Sequence, residues 1–215
     1  LNLKPHVKIC GITNREQAIA ISEMGADFIG INFWPKSKRY LPIEKAAGWL
    51  ADIPLATRVV GVFVNADESY LKEAASIPRL EFLQLHGDET PEDCANLKGL
   101  RPRVIKAFQV RDETALDAIA SYDVSDILLD AYHPTERGGV GATFPWELAL
   151  SFKRKYPQRS LWLAGGLVPD NVAEAVASTQ PFAVDVASGV EDEQPGIKNL
   201  AKVLAFIRAA HPMKT

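Results

Sequence analysis

Eight short apolar runs recur along the chain: VKIC from Val7, FIGINF from Phe28, RVVGVFV from Arg58, FLQLH from Phe82, RVIKAF from Arg103, DILLD from Asp126, LWLAG from Leu161 and AVDVAS from Ala183. Runs this short, dominated by Val, Ile and Leu, read as strands buried on both faces, which is the pattern of a parallel sheet. Between them lie TNREQAIAISEMG, NADESYLKEAAS, TPEDCANLKG, RDETALDAIAS and PDNVAEAVAS, helical patterns that open on a capping residue or on a first-turn proline. An open doubly wound sheet normally uses about five or six such units. Eight evenly spaced units predict instead a single-domain α/β fold, an eight-stranded parallel βα (TIM) barrel over residues 1–215, with no residues left for a second domain.

Alternate residues of a strand share a face, so polar residues inside these runs can be assigned to a side. Lys8 and Cys10 share a face of strand one and Gln84 and His86 a face of strand four. Asp130 ends strand six, and Asn32, Lys106 and Asp185 are the polar members of strands two, five and eight. A helix-covered outer face does not tolerate such groups, so all are predicted to point into the barrel. Burying an unpaired charge costs several kcal/mol, so each charge needs a partner or a ligand; closure makes strands one and eight neighbours and predicts a Lys8–Asp185 pair. Any one of these charges could equally be a structural ion pair. Cys10, His86 and Asp130, however, all sit at C-terminal strand ends, where barrel enzymes build their sites.

Two connections at that face are long: WPKSKRYLP after strand two and AYHPTERGGVGATFPW after strand six. Excess length there suggests binding loops, and Gly138, Gly139 and Gly141 suit the second to a flap that closes over a ligand. From Leu161 to Val190, two strand-like runs each end in a glycine-containing turn. Glycine admits positive φ and close backbone approach, so main-chain N–H groups can converge on an anion. The loops after strands seven and eight are where barrels hold phosphate.

Composition narrows the partners. At 47% hydrophobic and 24% charged the chain can bury a sizeable core, and a net charge of −3 gives no electrostatic reason to expect nucleic acid or an anionic membrane. Two cysteines, Cys10 and Cys94, are too few for a disulfide framework, so free thiols and a cytoplasmic location are expected. The N-terminal LNLKPHVKICG has no signal-peptide pattern, and no apolar run reaches about 18 residues. A first residue of Leu rather than Met suggests a trimmed or processed sequence.

KICGIT (Lys8 to Thr13), GINFWPKSKRY (Gly30 to Tyr40), GVFVN (Gly61 to Asn65), QLHGDE (Gln84 to Glu89), LLD with GGVGATFPW, LAGGLVPDNV, and VDVASGVE with PGIK stand in order along nearly the whole chain. Together they resemble the phosphoribosylanthranilate isomerase family of tryptophan biosynthesis. The resemblance implies a cofactor-independent, metal-free Amadori rearrangement of N-(5-phosphoribosyl)anthranilate to the 1-deoxyribulose phosphate. It implies Cys10 as general base and Asp130 as general acid, Arg39 on the anthranilate carboxylate and His86 lining the site. Gly165, Gly166, Ser188 and Gly189 would meet the phosphate, with Gly139 closing from loop six. The implied partner is the small phosphosugar–anthranilate substrate, acted on by a monomer or homodimer. An ordinary Asp is protonated only about once in a thousand molecules at neutral pH, so the apolar run before Asp130 is expected to matter; Lys8 is expected to favour the Cys10 thiolate. Cys94 matches no motif and reads as packing.

Three positions depart from the family pattern. Ala187 replaces a serine, and Pro145 and Asn199 replace aspartates at helix starts. The first removes a hydroxyl near the expected phosphate; the others bear on capping. Two rivals share the phosphate cradle: another phosphosugar isomerase or epimerase, which should lack the Cys10 and Arg39 pair, and a non-catalytic phosphosugar-binding barrel, against which Cys10 and Asp130 argue.

Overall fold

The computed structural model of the chain describes residues 4–131 and 145–211. Its strands are β1 His6–Cys10, β2 Phe28–Asn32, β3 Arg58–Phe63, β4 Leu80–Leu85, β5 Arg103–Val110, β6 Asp126–Ala131, β7 Ser160–Leu163 and β8 Ala183–Val186, and they close into a barrel in chain order. Every neighbouring pair is parallel, including β1 with β8, where Lys8 lies opposite Asp185. All eight predicted strands therefore form, and the predicted pairing of Lys8 with Asp185 follows from the closing register: Nζ lies 2.9 Å from Oδ1.

Alternation along the strands divides the core in two. Val7, Ile9, Ile29, Ile31, Leu83, Leu85, Ile127, Leu129 and Val184 face outward, where they pack under the helices. Phe28, Val60, Phe82, Ile105, Ala107, Leu128, Trp162 and Ala183 fill the interior. The outer layer comprises α1 Arg15–Glu23, α2 Ile43–Ala47, α3 Glu68–Ala75, α4 Pro91–Asn96, α5 Trp146–Lys155, α6 Val172–Thr179 and α7 Leu200–Ala210. Asn14 accepts from the Gln17 N–H and Thr90 and Asp93 form a reciprocal capping box, as expected, and Asn199 accepts from the Lys202 N–H; α3 and α6, which also follow candidate caps, have no side-chain cap. Pro145 precedes α5 without a side-chain cap.

The segment RDETALDAIAS folds as a 3-10 helix over Glu113–Ser121. Its buried residues are Leu116 and Ile119, three apart, a spacing that eclipses on a helix of about three residues per turn and so presents one apolar edge to the sheet.

Lys106 corrects the expectation that every polar strand residue points inward. Its register partner is Ile127 and its own neighbours Ile105 and Ala107 face the interior, so Lys106 faces out. It is tolerated there, 2% exposed, because Nζ donates to Glu89 Oε2 at 3.0 Å, the Gly87 carbonyl at 2.9 Å, the Ala107 carbonyl at 3.1 Å and the Leu85 carbonyl at 3.3 Å. Glu89 in turn accepts from the Asn65 and Gly87 N–H groups. A saturated buried ammonium here ties together the loops that follow β3 and β4.

Candidate active site

The C-terminal ends of the strands surround a cleft of about 400 Å³. Cys10, Arg39, His86, Asp130, Gly165, Gly166, Ser188 and Gly189 all line it, so the structure brings together every predicted site residue that it describes; Gly139, with the proposed flap glycines Gly138 and Gly141, lies outside the described residues. Asn32, Gln84 and Asp185, predicted inward on parity alone, also line the cleft, as does Trp34 from the loop after β2.

Cys10 ends β1 against Gly30 of β2. A Cβ at Gly30 would lie 2.7 Å from Cys10 Sγ and 3.1 Å from Lys8 Nζ, so this glycine makes the room in which thiol and ammonium sit together. Burial pushes the Cys10 thiol up, while the Lys8 ammonium, and more weakly Lys198, pull it down; burial wins. Lys8 thus favours the thiolate, as expected, but burial outweighs it. For Lys8 itself burial is a lowering influence, overcome by Asp185 and Cys10, and its pKa is raised. The ammonium is secure.

Asp130 stands at the end of β6, 4% exposed, with Oδ1 accepting the Ala131 N–H at 2.9 Å and Oδ2 lying 3.3 Å from His86 Nε2. Gln84 Nε2 is 2.7 Å from His86 Nδ1. With the amide as donor, Nδ1 accepts and the ring proton lies on Nε2, facing Asp130. Gly165 is required beside this carboxyl: at φ +90° its Cβ would lie 3.0 Å from Asp130 Oδ1 and 2.6 Å from the Ala131 nitrogen. Gly166 continues the turn at φ +64°, and Asn171 closes it, accepting from the Val168 N–H and donating to the Gly166 carbonyl. A Cβ at Gly189 would collide with the Leu167 carbonyl, so the two turns interlock backbone to backbone.

Arg39 crosses the mouth of β1. Gly11, at φ +78°, leaves the space its side chain occupies. Its Nε donates to Glu191 Oε1 at 2.8 Å and its Nη2 to Glu191 Oε2 at 2.6 Å. Glu191 Oε1 also accepts from Lys198 Nζ at 2.6 Å and from the Gly196 N–H at 2.9 Å. Burial alone would raise the Glu191 carboxyl, but the Arg39 and Lys198 bonds hold it below the usual range. Glu191 and Lys198 are 6% and 3% exposed, yet a Glu and a Lys seven positions apart in a polar loop give no sign of burial in the sequence. Among the described residues no group of three or more His, Cys, Asp and Glu side chains could hold a metal ion, and no helix is long and apolar enough to cross a membrane.

Comparison with known proteins places this arrangement. The family model for N-(5'-phosphoribosyl)anthranilate (PRA) isomerase matches residues 7–209. A Geobacter metallireducens N-(5'-phosphoribosyl)anthranilate isomerase is 49% identical over 204 residues, covering 95% of this chain and 98% of its own. The crystal structure of the Thermotoga maritima enzyme, a dimeric protein, superposes with a TM-score of 0.87 at 42% identity over 96% of this chain and 98% of that one. A phosphoribosylanthranilate isomerase in complex with reduced 1-(o-carboxyphenylamino)-1-deoxyribulose 5-phosphate superposes at 0.84, with 40% identity and the same coverage. A closed eightfold barrel, a rim carrying Cys10 and Asp130, and a match across nearly the whole length of both chains agree: the chain belongs to the N-(5'-phosphoribosyl)anthranilate isomerase family, enzymes of tryptophan biosynthesis.

Proposed function

We propose that this rim carries out the Amadori rearrangement of N-(5'-phosphoribosyl)anthranilate with Cys10 as general base and Asp130 as general acid. The observation that carries the proposal is their convergence: Cys10 from β1 and Asp130 from β6 line one cleft, with β7 and β8 between them. The reaction needs two proton transfers at separate centres. Asp130 donates to the furanose ring oxygen, the C1–O bond breaks to leave the protonated imine, and Cys10 then removes the proton from the adjacent sugar carbon; the resulting enol-amine takes up a proton at C1 and loses its hydroxyl proton to give the 1-deoxyribulose phosphate. His86 Nε2 faces the Asp130 carboxyl at 3.3 Å and would orient it once a proton or substrate enters the site, with Gln84 fixing the ring. Forming the Cys10 thiolate costs desolvation, and Lys8 is the cation positioned to offset it.

The two ends of the substrate are held apart from this chemistry. Arg39 takes the anthranilate carboxylate, for which a guanidinium fork is shaped. The turns with Gly165, Gly166, Ser188 and Gly189 take the phosphate, and Gly139 closes over it. The chemistry calls for no cofactor, and one barrel domain over residues 1–215, working in the cytoplasm as a monomer or homodimer, suffices for it.

The test is Cys10→Ala and Asp130→Asn, each assayed by the fluorescence change as phosphoribosylanthranilate is consumed. General acid–base groups contribute about 10²- to 10⁴-fold each, so turnover should fall by that much, while affinity for the reduced product analogue stays within about tenfold. Circular dichroism confirms the barrel. A folded variant retaining more than about a tenth of the wild-type rate refutes its assignment.

A further inference from the structure

We infer that Glu191 is a positioning residue for recognition of the substrate carboxylate: with Lys198 as its counter-charge, it sets the plane and direction of the Arg39 guanidinium. The inference rests on the reading of Arg39 given above. Arg39 comes from the loop after β2, which on its own would leave a long side chain free to sample many rotamers. Glu191 removes that freedom by gripping Nε and Nη2 with both oxygens at 2.8 and 2.6 Å, a bidentate geometry that fixes orientation as well as distance.

A carboxylate beside a site for a carboxylate would ordinarily repel it. Here Lys198 resolves the conflict. Its Nζ, fully buried, bonds Glu191 Oε1 at 2.6 Å and the Ala187 carbonyl at 3.0 Å. Two cations against one anion leave the cluster at net +1, so the substrate carboxylate meets a positive field. Four donors converge on Glu191, three on Oε1 from Arg39 Nε, Lys198 and the Gly196 N–H and one on Oε2 from Arg39 Nη2, so most of its acceptor capacity is spent within the cluster. The cluster also joins three segments: the loop after β2, the turn after β8, and the PGIK segment, which Gln17 of α1 holds through hydrogen bonds to the Lys198 backbone. Gly11 completes the frame by admitting the Arg39 stem across β1.

The experiment compares two ligands, reduced 1-(o-carboxyphenylamino)-1-deoxyribulose 5-phosphate and its anilino counterpart lacking the carboxyl group, titrated against wild type, Glu191→Gln and Arg39→Ala. Glutamine keeps the size of Glu191 but removes its charge and one acceptor. Glu191→Gln should weaken the carboxylate ligand about tenfold, the scale of one charge-assisted hydrogen bond, and leave the anilino ligand within about twofold. Equal weakening of both ligands, or of neither, overturns the positioning role while Arg39→Ala still discriminates between them. If Arg39→Ala itself fails to discriminate, the reading of Arg39 falls and the inference with it.

Discussion

The floor and the rim of the barrel are made from the same strands, four residues apart, and they do opposite work. On β2 the inward series runs Phe28, Gly30, Asn32; on β4, Phe82, Gln84, and then His86 just past the strand; on β6, Asp126, Leu128, Asp130. At the floor Phe28, Phe82, Trp162 and Phe182 pack ring against ring, with centroids 4.7 to 5.9 Å apart. The floor also has a buried carboxylate, Asp126, but its oxygens are taken by Trp162 Nε1 at 3.1 Å and Arg103 Nη2 at 2.5 Å. At the rim Asp130 is held on one side and faces the cleft on the other. A buried acid is structural or chemical according to how its oxygens are spent, and the strand position decides which.

The contrast breaks most visibly at the floor. Trp162→Ala removes the largest fully buried side chain and should cost about 3–5 kcal/mol of stability, read by denaturant unfolding; a cost below about 1 kcal/mol would mean that the aromatic plug does not hold the barrel. Next, Arg39→Ala should raise KM roughly ten- to hundredfold, from about 1.5–3 kcal/mol for a charge-assisted bond; unchanged kinetics would return Arg39 to a structural role. A smaller effect concerns pH. The Glu191 carboxyl is lowered in the fold, so its stabilisation is complete above the ordinary glutamate pKa and is lost as pH falls through its folded value. The stability gap between wild type and Glu191→Gln, measured in urea, should therefore hold steady from about pH 7 down to the ordinary glutamate pKa of about 4.3 and narrow only below it; a gap that does not narrow below that pH would show that the charge is immaterial.

Much of this was legible in the sequence because periodicity carries it. Strand count, closure and the inward set Lys8, Cys10, Asn32, Gln84, Asp130 and Asp185 follow from alternation within short apolar runs. Lys106 misled because parity was read from its polarity rather than from its neighbours: Ile105 and Ala107 fix the inward face, and a lysine is affordable outside when four acceptors surround it. Glu191 and Lys198 were invisible for another reason. Their burial depends on a loop folding back to Arg39 across 152 residues of sequence, which no local pattern encodes. The Ala187 departure also looks different in the fold, where the residue's carbonyl, present in any amino acid, holds Lys198.

The division between Asp130 and Cys10 is tested most directly with substrate deuterated at the sugar carbon next to the anomeric centre, followed over single turnovers. In the proposed mechanism Asp130 acts before that C–H bond breaks, and Cys10 breaks it. Cys10→Ser substitutes a far weaker base, so proton abstraction becomes the slow step and the isotope effect should exceed that of wild type. Asp130→Asn slows ring opening instead, and the isotope effect should fall towards unity. An enlarged isotope effect in Asp130→Asn together with a suppressed one in Cys10→Ser would reverse the two roles and contradict the account.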